Sequence, residues 1–146
     1  MYKKVLVAND GSKGGYAALD VALDITRKYS SELHMITIEE ITAWGMTGDV
    51  APVIVHETHR KYLEEVVAHS TTKASAAGIM MTTHLPLGEP VNQITEFARN
   101  FDLLVIGFTP HSPFYIWFIG SVASSLVSDV PCSILVVKIP MEEETE

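Results

Sequence analysis

The run Leu103-Leu104-Val105-Ile106 constrains the fold more than any other stretch of this chain. It is apolar at every position and rich in β-branched residues, so it has no polar face to turn to water. A strand of this kind is buried on both sides, as in a parallel sheet covered by helices. Val5–Ala8 and Ile134–Val137 have the same character. Between these runs the apolar residues recur at helical spacing, so strands and helices alternate along the chain.

The elements predicted in order are these. A first strand covers Val5–Ala8 and is broken by "NDGSKGG". Ala18, Val21, Ala22, Ile25 and Tyr29 form one face of a first helix. Leu33–Ile38 is a second strand, followed by a loop with Gly45 and Gly48 that leads to Pro52. Leu63, Val66, Val67, Ala74 and Ala77 mark a long second helix, with Gly78 placed to end it. Met80–Leu85 is a third strand. "PLGEP" is a turn, and Pro90 opens a helix through Ile94, Phe97 and Ala98. The fourth strand is Leu103–Ile106. A fourth helix over Val122–Val127 begins near Ser121, and Ile134–Val137 is the fifth strand. The expected architecture is an α/β domain: a five-stranded parallel, doubly wound sheet in a flavodoxin-like three-layer sandwich. It spans residues 1–140, with an acidic tail at 141–146.

In such sheets, ligands bind beyond the carboxyl ends of the strands, where the winding reverses. Two strand ends carry suitable residues: "NDGS" after the first strand and "GFTPHS" after the fourth. If those strands are neighbours, both loops face one crevice. Asp10 sits where a carboxylate can accept ribose hydroxyls or reach a bound Mg²⁺. Gly120 lets the backbone approach a ligand closely. Ser121 would cap the fourth helix, whose free N–H groups form an anion site.

Charge narrows the function classes. The formal net charge of −8 disfavours nucleic acid and anionic membranes as partners, since both need a basic face. No apolar run approaches the ~18 residues of a membrane span. The N-terminal apolar run is too short for a signal peptide. The single cysteine, Cys132, excludes an intrachain disulfide and is expected to be a small packing residue. A cytoplasmic location follows as the expectation. "HETH" at His56–His59 lacks the H-E-x-x-H zinc spacing, so a solvated helix face is expected there. Neither G-x4-GK[ST] nor G-x-G-x-x-G is present. A phosphoacceptor receiver domain shares this architecture, but the third strand ends in His84-Leu85, with no aspartate to be phosphorylated. No side chain is placed as a catalytic base, so a binding module is expected rather than an enzyme.

Over nearly its full length the chain resembles the universal stress protein family. "MYKKVLVANDGS" is similar to that family's first strand and Asp-x-Ser turn. "LGEPVNQITEFARNFDLLVIG" is similar to its Gly-x-Pro turn, third helix and fourth strand. The family's nucleotide-binding members carry G-x2-G-x9-G-[ST]. Here Gly107 and the Gly120-Ser121 pair stand at the right spacing, with Pro110 in place of the second glycine. The resemblance implies an adenine nucleotide alpha hydrolase-like fold and a stress-response regulator that binds ATP or another adenine nucleotide, with Mg²⁺ as a candidate companion. It implies that Asp10, with the backbone of Ala8 and Asn9, borders the nucleoside, and that the main chain of Ile38 meets the adenine edge. It places Gly107, Gly120, Ser121 and Val122 around the phosphates. It also implies a homodimer paired through the last strand, at Ile134, Leu135, Val136 and Val137.

The loop from Phe108 to Ile119 departs from that pattern. Pro110 has no N–H to offer a phosphate, and no Lys or Arg lies between Phe108 and Val122. His111 is a candidate phosphate donor. The sequence therefore predicts weakened triphosphate affinity. Phe114, Trp117 and Phe118 fall at i, i+3, i+4, as if one helical turn buried them. Exposed instead, they would serve a protein partner. The competing reading is a dimeric interaction module of the same fold that uses this aromatic loop and binds no nucleotide.

Overall fold

The structure is a computed structural model and describes residues 1–40, 52–108 and 124–139, leaving aside the side chains of residues 52–58. Lys4–Ala8 (β1) leads into Lys13–Tyr29 (α1) and Glu32–Ile36 (β2). Glu39–Glu40 (β3) precedes the long helix Pro52–Ala76 (α2). Met81–His84 (β4), Leu87–Gly88 (β5), Pro90–Ala98 (α3) and Leu103–Phe108 (β6) follow. Residues 124–129 are helical (α4), and Ser133–Lys138 (β7) is the last strand.

Five strands form one parallel sheet in the order β4-β2-β1-β6-β7. This is the doubly wound sheet the alternating pattern predicts. β1 and β6 pair side by side, with Val5 opposite Leu103 and Val7 opposite Val105. From β1 the chain winds outward through β2 to β4, then returns to the other side of β1 for β6 and β7. The reversal therefore falls between β1 and β6.

The pleat explains why the apolar runs carry no alternation. Val5, Val7, Leu103 and Val105 pack on one face of the sheet with Ala18, Leu19 and Ala22 of α1. Leu6, Leu104 and Ile106 pack on the other with Ile94 and Ala98 of α3 and Leu126 of α4. Both faces of the two central strands are thus covered, at about 25 cal/mol for each Å² of apolar surface removed from water. The edge strands differ. In β7, Leu135 and Val136 are 37 % and 39 % exposed, so full burial does not extend to this apolar run. Among the described residues, β6 is its only strand neighbour.

Two local features depart from the sequence expectation. β2 ends at Ile36, not Ile38, and "PLGEP" is more than a turn. Beyond the main sheet, β3 and β5 pair in parallel as a second, two-stranded sheet. The hydrogen bond from Glu39 N to Pro86 O, 2.9 Å, begins this ribbon. It carries the chain past the sheet's carboxyl end and holds it there. Glu39 is only 1 % exposed and pairs with Arg60 of α2 at 2.5 Å. This ion pair, between a buried carboxylate and a half-exposed guanidinium, has no signature in the sequence pattern.

The helix ends follow their local chemistry. Ser12 caps α1, its Oγ accepting from Gly15 N at 3.1 Å. Gly78 sits just past α2 at φ +76°, a left-handed conformation that glycine adopts without strain. Its N–H reaches Ser75 O at 2.9 Å.

Candidate functional site

At the winding reversal, beyond the carboxyl ends of β1 and β6, the described residues enclose a cleft. Its empty space, with the open mouth included, is about 700 Å³. The walls come from four directions. Ala8, Asn9 and Asp10 end β1, and Ile106 and Gly107 end β6. Ile36 ends β2, Ile38 follows it and Glu40 belongs to β3, while Pro90 and Ile94 belong to α3 and Leu126 to α4. Ser12 and Gly15 close the side at the start of α1.

Five of the eight nucleotide-site positions named from the sequence, Ala8, Asn9, Asp10, Ile38 and Gly107, line this one cleft. Gly120, Ser121 and Val122 lie outside the described residues, as do Pro110, His111 and the aromatic residues of the same loop.

Asn9 holds the turn together. It is 2 % exposed, and its backbone N–H donates to Ile36 O at 3.1 Å, tying the end of β1 to β2. Its side-chain Oδ1 accepts from Gly11 N at 2.9 Å, and its Nδ2 donates to Ser70 Oγ at 3.1 Å. Asp10 is the next residue and faces the cleft. Its Oδ1 accepts from Ser12 N at 3.0 Å and from Ser12 Oγ at 2.5 Å. One hydroxyl thus links the carboxylate to the cap of α1.

Gly107 has a packing reason that the sequence reading missed. A Cβ there would lie 1.9 Å from Gly14 O and 2.2 Å from Gly14 C. The end of β6 touches the first turn of α1 backbone to backbone, so the glycine is required before any ligand is considered.

The cleft combines apolar walls with an acidic mouth. Ile36, Ile38, Ile94, Ile106 and Leu126 supply surfaces against which a flat heterocycle can pack. Burial raises the Glu40 carboxyl above its ordinary value; nearby His59 opposes this, and Asp10 and Glu89 add to it. Glu89 caps α3, its Oε1 accepting from Val91 N at 3.1 Å and its Oε2 from Asn92 N at 2.9 Å. Sequence periodicity gave no hint of Glu40, because it stands in the short ribbon that was itself not predicted. Among the described residues, no group of three or more His, Cys, Asp or Glu is arranged to hold a metal ion.

Other candidates resolve simply. Cys132 is half-buried against the Leu6–Leu104 side of the sheet, and burial pushes its thiol up, away from nucleophilic use. His34 and His84, on adjacent strands, meet at 2.9 Å between Nδ1 and Nε2 with nearly parallel rings. This pair lies outside the cleft, against Phe97 and Phe101. Among the described residues, no helix is long and apolar enough to cross a membrane.

A parallel α/β module with a cleft at its winding reversal is the class that fold and site define. The sequence model of the universal stress protein family matches residues 1–138, and the chain belongs to that family. A universal stress protein of Methanocaldococcus jannaschii is 27 % identical over 146 residues, covering 98 % of this chain and 86 % of that protein. Among solved structures, a universal stress protein in complex with cAMP has a TM-score of 0.64 at 23 % identity, covering 93 % of this chain and 96 % of its own. One from Archaeoglobus fulgidus in complex with dAMP has a TM-score of 0.63 at 19 % identity, covering 94 % and 98 %. Likeness at this level of identity establishes the shared fold.

Proposed function

We propose that this protein is a cytoplasmic regulatory module of the stress response that binds an adenine nucleotide in the cleft between β1 and β6. The observation that carries the reading is the convergence of Ala8, Asn9, Asp10, Ile38 and Gly107 on one cavity at the winding reversal. Two proteins of the same fold were solved with cAMP and dAMP, which supports an adenine ligand. The apolar walls would take the base, and Asp10 would accept from the ribose hydroxyls. Gly120, Ser121 and Val122 would meet phosphate at the start of the last helix. Pro110 and the absence of Lys and Arg between Phe108 and Val122 make triphosphate binding weak. Mg²⁺, where a triphosphate is bound, would supply the missing positive charge.

The protein acts as a homodimer paired along β7, where Leu135 and Val136 stand exposed on an edge strand. It works by binding rather than by turnover.

The test is to purify the protein natively, denature it, and identify the released small molecules by mass spectrometry. An adenine nucleoside or nucleotide is expected. If none is released, and if adenosine, AMP and ATP all fail to bind on titration, the nucleotide reading falls. The dimeric interaction module using the aromatic loop then replaces it.

A further inference from the structure

We infer that the cleft selects an adenine ligand of low negative charge, a nucleoside or nucleoside monophosphate, and that Glu40 is the residue that turns a metal-free triphosphate away. The inference rests on the nucleotide reading above and specifies the ligand class for that site.

The first ground is what lines the cleft. Its titratable side chains, among the described residues, are Asp10 and Glu40, and neither Lys nor Arg is among its walls. Lys13, on the first turn of α1, is exposed and stands outside the lining. Arg60 is held by Glu39 at 2.5 Å and Glu64 at 3.4 Å. From Ile38 to His59 the sequence contains neither Lys nor Arg, and the same is true from Thr109 to Ala123. A polyphosphate therefore meets two carboxylates, and those segments supply neither Lys nor Arg to offset them.

The second ground is the start of α3. A helix N-terminus beside a cleft ordinarily offers its free N–H groups to a phosphate. Here Pro90 lines the cleft and has no N–H. The N–H groups of Val91 and Asn92 are already given to the two oxygens of Glu89. The protein has filled this anion site with its own carboxylate. At the start of α1, Ser12 Oγ takes the Gly15 N–H and Asp10 takes the Ser12 N–H.

Glu40 stands where these charges meet. Its carboxyl feels Asp10 from the β1–α1 turn, Glu89 from the cap of α3 and His59 from α2. Burial and the two carboxylates favour its neutral form, and His59 favours the charged form. Further negative charge brought by phosphates raises the cost of keeping Glu40 ionised. An uncharged ribose adds none, so the apolar walls decide its affinity.

The test is calorimetric titration of the intact protein with adenosine, AMP and ATP at neutral pH with EDTA present. ATP is expected to bind about tenfold or more weaker than adenosine, with AMP between them. Raising NaCl from about 0.05 M to about 0.5 M should tighten ATP binding by screening the carboxylates, the opposite of a basic phosphate site. In Glu40→Gln, the ratio of ATP to adenosine affinity should rise about tenfold. ATP binding that is tightest of the three, or that weakens with salt, overturns the inference while leaving the nucleotide reading intact. An unchanged affinity ratio in a folded Glu40→Gln removes Glu40 from the role. If that variant does not fold, the ligand ranking and the sign of the salt effect in the unmutated protein still decide the question. Failure of all three ligands overturns the inference together with the reading beneath it.

Discussion

A side chain added at Gly107 would place its Cβ 1.9 Å from the carbonyl oxygen of Gly14. The clash is with backbone, not with the movable end of a side chain. Relief would require β6 and α1 to separate, and both belong to the core. Gly107→Ala should therefore cost about 2–4 kcal/mol of folding stability with no ligand present. Thermal or urea unfolding of the ligand-free protein reads this directly. A variant that melts normally but loses nucleotide would reverse the assignment and make the glycine a ligand residue.

Asp10 makes the contrasting case. Its hydrogen bonds to Ser12 use one oxygen, Oδ1, as acceptor. The amide oxygen of an asparagine can accept the same bonds, so Asp10→Asn should melt within a few degrees of the parent protein. Adenosine affinity should fall by about fivefold to fiftyfold, because a charged acceptor is exchanged for a neutral one. A large loss of stability with unaltered binding would make Asp10 a turn residue only.

The histidine pair gives the protein a pH dependence of predictable sign. Burial, and then the neighbouring His34, lower the pKa of His84 below its ordinary value. The unfolded chain therefore takes up the proton first as pH falls. Stability from this group is complete above the unfolded value of 6.5 and is lost as pH drops through the folded value. The ring nitrogens, 2.9 Å apart, share a hydrogen bond only while at least one ring is neutral. Urea unfolding between about pH 8 and about pH 5 should show a declining midpoint, with a flatter decline in His84→Gln. Equal slopes in the two proteins would place the acid sensitivity elsewhere.

How legible was all this in the sequence? The apolar runs at β1 and β6 predicted two-sided burial because the pleat sends alternate residues to opposite helix layers, and both layers exist. The runs leave open whether those two strands are neighbours; their pairing in the structure brings Ala8, Asn9, Asp10 and Gly107 to one cleft. The two-stranded β3–β5 ribbon was illegible. Two residues per strand carry no periodicity, and the ribbon's position is set by Glu39 N meeting Pro86 O, a contact 47 residues apart in sequence. Glu40 was missed for the same reason, and so was the Glu39–Arg60 pair. Gly107 was legible as a special position, but not its cause, because nothing in the sequence says that Gly14 approaches from α1. For β7 the apolar run predicted the strand, while its partial exposure follows from its edge position.

That exposure underlies the last prediction. β7 pairs with β6 on one side, from Leu103 opposite Ser133 to Phe108 opposite Lys138. On its other side it has no strand neighbour among the described residues. Leu135 and Val136 are both more than a third exposed, and Val127 of α4 is 63 % exposed. An edge strand with free backbone groups and apolar side chains is a template for pairing, and a second copy of the chain would satisfy both needs at once. Val136→Asp places a charge in that contact. Burying it unpaired across a dimer would cost several kcal/mol, on the order of 2–5. Within one subunit Val136 is already part-exposed, so the subunit's own fold should tolerate the change. Sedimentation velocity is expected to show a dimer for the parent protein and a folded monomer for Val136→Asp, with unchanged circular dichroism. A variant that remains dimeric would move the interface away from Ile134, Leu135, Val136 and Val137.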